Sequence, residues 1–302
     1  MTKTAFIFPG QGSQYPGMGK DFFERDNGSR ELFLHADKVL GLALSHICFE
    51  GPEDELRQTK NTQPAIFLHS VVVLRKLNAK PEMTAGHSLG EYTALVAADA
   101  ISFDDGLRLV RLRGELMQKA GEEQQGTMAA IVGLLPEALE EICRDATEAG
   151  IVQPANFNSP GQIVISGSVN GVRKGMELAK AKGAKLVKEL VVSGAFHSPL
   201  MEGARDALKK KLDETNIVDA SIPVYTNVSA EPVTKAQDIR DSLFRQLTSP
   251  VRWEESIIHM VRDGADRFVE VGPGKVLQGL VKRIATNAQT AGYDKFSDIQ
   301  TA

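Results

Sequence analysis

The chain has 302 residues, 42% of them hydrophobic and 25% charged, enough for a sizeable core, and this excludes a disordered or collagen-like chain. Lys and Arg number 35 against 39 Asp and Glu, a formal net charge of −4, so the chain as a whole carries no nucleic-acid signature. No apolar run reaches the ~18 residues of a membrane span, the N-terminal run is too short for a signal peptide, and Cys48 and Cys143 have neither metal-ligand spacing nor a disulfide framework. A reducing, cytoplasmic compartment is expected.

In chain order, residues 4–8 read as a short buried strand. It empties into the Gly-rich loop Pro9-Gly10-Gln11-Gly12-Ser13-Gln14-Tyr15-Pro16-Gly17-Met18-Gly19. A phosphate loop fails because Met18 stands where lysine is required, and a dinucleotide fingerprint fails at Tyr15. The loop is a surface turn or a site loop at the carboxyl end of a strand. Residues 30–50 and 63–77 have helical patterns, the second apolar nearly all round with Pro64 in its first turn. His69 there is a core or near-site histidine.

Residues 127–132 are strand-like, 136–150 helical, 151–156 and 162–166 strands joined by the turn Asn158-Ser159-Pro160-Gly161, 169–182 helical and 184–191 a strand. That order, β-α-β-β-α-β, is the ferredoxin-like split unit. It predicts a small domain over 124–195 inserted into a larger α/β domain made of 1–123 and 196–302. A strand near 224–225, helices near 236–247 and 253–263, a strand at 267–271 and a helix at 276–285 follow. Residues 286–302 are polar and are expected to trail over the surface.

Gly86-His87-Ser88-Leu89-Gly90 matches G-x-S-x-G, which places a serine on a tight strand-to-helix turn with its Oγ exposed and the next N–H aimed at the reacting oxygen. The helix after it, 91–98, is good; the strand before it, 82–85, is weak. The alternative is a helix N-cap serine. Of the six histidines, His197 is the best base for Ser88, since it follows a predicted strand where the small domain hands back to the large one. A structural histidine remains open. At about 100° per residue along 103–117, Arg113 falls inside the apolar arc while Arg108 and Arg111 face solvent. A charge there needs an anion: a buried ion pair, or a ligand carboxylate taken as a two-pronged fork.

Taken together, these residues resemble the malonyl-CoA:acyl carrier protein transacylases, over roughly residues 4–285. The likeness rests on six motifs in order: Phe8-Pro9-Gly10-Gln11-Gly12-Ser13-Gln14; Gly86-His87-Ser88-Leu89-Gly90-Glu91; Arg113-Gly114 through Met117; Asn156-Phe157-Asn158-Ser159-Pro160-Gly161-Gln162; Gly194-Ala195-Phe196-His197-Ser198; and Glu270-Val271-Gly272-Pro273-Gly274. The resemblance implies an α/β-hydrolase-like catalytic domain with a ferredoxin-like insert. It implies Ser88 as nucleophile and His197 as base, with the histidine oriented by the backbone carbonyl of Gln246 and the oxyanion held by the N–H groups of Gln11 and Leu89. Arg113 would bind the malonyl carboxylate, with Met117, Phe196 and Asn156 as further substrate-binding residues. Ala195-Phe196 is similar to the malonyl-selective form.

The implied reaction carries malonyl from malonyl-CoA to the phosphopantetheine thiol of acyl carrier protein through a malonyl-serine, supplying extender units for fatty-acid or polyketide synthesis. Malonyl-CoA and the carrier are the expected partners, without nucleic acid, membrane, metal or other cofactor. Lys185, Lys188 and Arg283 are candidates for a basic patch toward an acidic carrier. Two rivals stay open: a thioesterase with water as acceptor, and a binding module without turnover.

Overall fold

From Ala5 to Phe8 the first strand, β1 (Lys3–Phe8), is buried at every position. A strand covered on both faces needs consecutive apolar residues, which Ala5-Phe6-Ile7-Phe8 supplies. The computed structural model describes residues 3–299 and places this strand inside a six-stranded sheet. Its order is β10 (Gln289–Tyr293), β9 (Ala265–Val271), β1, β2 (Met83–Gly86), β7 (Val224–Tyr225), β8 (Pro232–Val233), parallel except for the β7–β8 pair. Side chains alternate across the sheet. Phe6 and Phe8 enter one core with the helices Thr59–Lys76 and Phe103–Glu123. Ala5 and Ile7 enter the other with Trp253–Arg262 and Val276–Ile284.

The segment 126–189 builds a second sheet, fully antiparallel, in the order β4 (Val152–Ser159), β5 (Gln162–Ser168), β3 (Gly126–Val132), β6 (Leu186–Glu189). The helices Pro136–Ala146 and Val169–Ala181 cover one face around their own core of Ile131, Leu139, Ile142, Ile165 and Val172. Met128, Ala155 and Val164 belong instead to the main core. Strand β4 is tied to the large sheet's side by Phe157 N–H to Val251 O, 2.9 Å, and Val251 N–H to Ala155 O, 2.8 Å.

Four expectations need correction. The pattern at 30–50 is two helices, Asn27–Leu40 and Leu44–Glu50, parted where Gly41 turns left-handed (φ 61°). The apolar helix begins at Thr59, so Pro64 lies inside it rather than in its first turn. Proline removes the N–H that Lys60 O would accept, and Arg111 Nη1 replaces it at 3.0 Å. Arg111 is thereby drawn in from solvent. The polar tail does not trail over the surface. Residues 289–293 form β10 alongside β9, and Phe296 packs edge-on to Phe22, ring centroids 5.6 Å apart. Asp294 accepts from Tyr15 Oη at 2.9 Å, and its carbonyl lies 2.9 Å from His69 Nε2, so His69 is a core residue. An edge strand half open to water needs no apolar run, which is why Gln289-Thr290-Ala291-Gly292-Tyr293 gave no signal. The part of that expectation on residues 300–302 lies outside the described residues. Among the described residues no helix is long and apolar enough to cross a membrane, and Cys48 and Cys143 are free and buried.

Candidate active site

Strands β1 and β2 end side by side, so the Gly-rich loop and the Ser88 turn emerge together at the carboxyl edge of the sheet. A Cβ on Gly86 would stand 1.9 Å from Gly90 C, and one on Gly90 would stand 2.1 Å from Phe8 O. Only glycine allows that approach. Ser88 itself is left-handed at φ 50°, a strained setting for a residue with a side chain. Two amides hold it there. Asn227 Oδ1 accepts from Ser88 N–H at 2.6 Å while its Nδ2 donates to Gly86 O at 2.7 Å, and Gln246 Nε2 donates to Ser88 O at 3.0 Å.

Ser88 Oγ lies 2.8 Å from His197 Nε2. His197 Nδ1 faces two carbonyl oxygens, Gln246 O at 2.9 Å and Ser249 O at 3.2 Å. Carbonyls only accept, so Nδ1 carries the hydrogen and Nε2 offers its lone pair to the serine O–H. His197 is buried and left-handed (φ 58°). Burial first, and the Arg113 charge second, push its pKa down to about 3. The imidazole is therefore neutral at neutral pH, with its Nε2 lone pair facing the Ser88 hydroxyl.

Arg113 is 1% exposed, and among the described residues no carboxylate pairs with it. Its Nη1 donates to Gln63 Oε1 at 2.8 Å, and its Nη2 to Gln246 Oε1 at 2.9 Å and to Ser88 Oγ at 3.0 Å. Tyr92 lies beside it, ring centroid 5.7 Å from Cζ, yet neither the phenol oxygen nor Arg113 Nε meets hydrogen-bond geometry. A guanidinium buried among neutral acceptors is electrostatically unfinished. Of the two readings of this arginine, the buried ion pair is the one that the geometry lacks.

A cavity of about 200 Å³ opens on these groups. Gln11, Leu89, Met117, Asn156 and Phe196 all line it with Ser88, Arg113 and His197. Among the described residues the Gln11 and Leu89 N–H groups have no hydrogen-bond partner, and both residues line the cavity. Asn156 is buried and bridges to Val251. His87 points away from Ser88, with Nε2 2.8 Å from Asn158 Oδ1.

Several residues here escaped the sequence reading: Gln63, Asn227, Ser249 and the side chain of Gln246. Gln63 left a trace, as a polar residue in a helix apolar nearly all round. Asn227 and Ser249 left none, because neutral residues in loops have no spacing rule.

An acyl transferase domain profile matches residues 5–295. The chain is 49% identical over 306 residues to a Bacillus subtilis protein named malonyl CoA-acyl carrier protein transacylase, covering 100% of this chain and 96% of that one. A solved acyl carrier protein S-malonyltransferase from Vibrio cholerae superposes with TM-score 0.96 at 42% identity, covering 99% of each chain. A malonyl-transacylase solved in complex with a type II PKS acyl-carrier protein superposes with TM-score 0.96 at 41% identity, covering 100% of this chain and 99% of that one. The chain is an acyltransferase: it belongs to the acyl transferase domain family and, within it, to the malonyl CoA-acyl carrier protein transacylases.

Proposed function

We propose that the chain moves a malonyl group from malonyl-CoA to the phosphopantetheine thiol of an acyl carrier protein through a malonyl ester on Ser88. The observation that carries this is the buried Arg113, unpaired with any described carboxylate and 3.0 Å from Ser88 Oγ. An acyl group bearing a free carboxylate brings the missing anion to the place where its thioester must react. The guanidinium takes that carboxylate as a fork.

His197 Nε2 removes the Ser88 proton as Oγ attacks the thioester carbonyl, and the electron pair moves onto the carbonyl oxygen. The N–H groups of Gln11 and Leu89 hold that oxyanion, a donor of this kind contributing typically ~10²–10³ in rate. The tetrahedral centre collapses, the C–S bond breaks, and the sulfur leaves with the proton from His197. The carrier thiol then gives its proton to His197 and attacks the ester, and Ser88 Oγ leaves protonated. Neither half needs a change of oxidation state. Gln246 O and Ser249 O, in place of an acidic third residue, keep His197 in the required tautomer throughout. Met117, Asn156 and Phe196 shape the acyl cavity.

The fold supports a finer division. Residues 124–195, with sheet order β4-β5-β3-β6 and two helices on one face, are a ferredoxin-like insert. The described residues of 1–123 and 196–302 form an α/β-hydrolase-like domain around the mostly parallel six-stranded sheet. The insert's remaining face roofs the acyl cavity through Met128 and Val164. Lys185, Lys188 and Arg283 stay candidates for the carrier-facing patch.

The test is a pulse of labelled malonyl-CoA followed by a chase with carrier protein. The expected result is label held by the protein without carrier and passed to the carrier thiol in the chase. Rapid release of free malonate would favour a thioesterase. An absence of covalent label would favour a binding module.

A further inference from the structure

The carboxylate whose charge bears on Arg113 is not in contact with it. Glu91, the third residue after the nucleophile, is buried on the helix Gly90–Ala97. Gln246 spans the gap, with Oε1 on Arg113 Nη2 at 2.9 Å and Nε2 on Glu91 Oε2 at 2.9 Å. The same Oε2 accepts from Asn227 N–H at 2.9 Å. One carboxylate thus accepts from the backbone of Asn227 and the side chain of Gln246, the two residues that hold Ser88, and it stands one side chain behind the Arg113 guanidinium.

We infer that Glu91 is the resident counter-charge of Arg113, and that its charge state sets how strongly the site prefers an acyl group with a free carboxylate. With Glu91 ionised, its field offsets Arg113 and opposes a second carboxylate. With Glu91 neutral, Arg113 is uncompensated and the incoming carboxylate is its only anion. The inference rests on the malonyl reading above.

Burial pushes Glu91 up to about 7, against the pull of Asn227, Gln246 and the Arg113 charge, so both charge states are accessible near neutral pH. The charged or titratable groups around it are Arg113 from Phe103–Glu123 and Tyr92 from its own helix, with His87 and His197 beyond them. Tyr92 is pushed up to about 12 and stays neutral. Burial lowers both histidines, which also stay neutral. The side chains that Thr59–Lys76 and the 226–246 segment present to this cluster, Gln63, Asn227 and Gln246, do not titrate.

The experiment measures kcat/KM for malonyl-CoA over that for acetyl-CoA, from about pH 6 to about pH 8, in wild type and Glu91→Gln. The CoA moiety is common to both substrates, so its titration cancels in the ratio. A coupling of one pKa unit is a factor of ten, so the wild-type ratio should fall about three- to tenfold as pH rises. Glutamine keeps an oxygen for Asn227 and Gln246 but carries no charge, so its ratio should stay flat at the wild-type acid value. A flat wild-type ratio, or a slope retained in Glu91→Gln, would overturn the inference. A purely structural Glu91 would lower both substrates together and leave the slope intact. Should the variant not fold, wild type is acylated near pH 7 in weakly buffered solution with an indicator dye. Linkage is reciprocal, so malonylation should take up more protons than acetylation, and equal uptake would overturn the inference. If wild type transferred no malonyl at any pH, the reading of the function itself would fall; malonyl transfer with a flat ratio would remove this inference alone.

Discussion

Replacing Arg113 by alanine removes the guanidinium that we propose takes the malonyl carboxylate, and the cost can be worked from the hydrogen bonds it would make. A hydrogen bond to a charged partner contributes roughly 1.5–3 kcal/mol, and a fork makes two, giving ~3–6 kcal/mol as an upper figure because coupled bonds do not add. At ~1.4 kcal/mol per factor of ten, malonyl transfer should fall by ~10²–10⁴. The same substitution strips donors from Gln63 Oε1 and Gln246 Oε1, and Gln246 also holds the Ser88 carbonyl. That loss, of order 1–3 kcal/mol per orphaned group, is shared by every substrate. The assay therefore compares kcat/KM for malonyl-CoA and acetyl-CoA in wild type, Arg113→Lys and Arg113→Ala. The ratio should fall by ~10²–10⁴ in Arg113→Ala, with lysine, which keeps the charge but not the fork, restoring part of it. An equal fall for both substrates would make Arg113 a structural member of the network rather than the carboxylate's partner.

Ser88→Ala should abolish the acyl-enzyme and His197→Ala should slow its formation severely, and in residual malonyl transfer to the carrier thiol the double variant should be little worse than either. Full additivity would mean that the pair does not share a step. Asn227→Ala orphans both Ser88 N–H and Gly86 O, so it should lower malonyl and acetyl transfer alike and leave their ratio unchanged. His197 is held near 3 against about 6.5 for an unfolded histidine, so the unfolded chain binds the extra proton between those values. Its contribution to stability is full above about pH 6.5 and is lost as pH falls toward the folded value, so the urea-midpoint gap between wild type and His197→Ala should narrow on acidification. The acetylation rate should also show no acid limb in the ordinary histidine range.

What the sequence disclosed was local chemistry. G-x-S-x-G needs its two glycines because Gly86 and Gly90 are pressed against backbone, a requirement written into five consecutive residues. Arg113 was legible because a helix converts spacing into facing, and a charge in an apolar arc is conspicuous. The order of strands and helices over 126–189 could be read because each element carries its own period. The support behind the site could not. Gln63 lies in one segment and Asn227 and Gln246 in another, both away from Ser88 and Arg113 in the chain, and their amides work only once the fold brings them together. Glu91 was visible in the motif, but its task depends on Gln246, 155 residues away. The helix start at Thr59 was hidden for a similar reason, since Arg111 supplies the donor that Pro64 lacks.

The central claim is that Ser88 carries the malonyl group between two thiols. Intact-mass measurement of the protein mixed with malonyl-CoA, followed by peptide mapping, tests it directly. The expected result is one malonyl adduct, on Ser88, absent in Ser88→Ala and discharged when carrier protein bearing a free phosphopantetheine thiol is added. A malonyl adduct on another residue, or malonyl transfer to the carrier by Ser88→Ala at the wild-type rate, would contradict it.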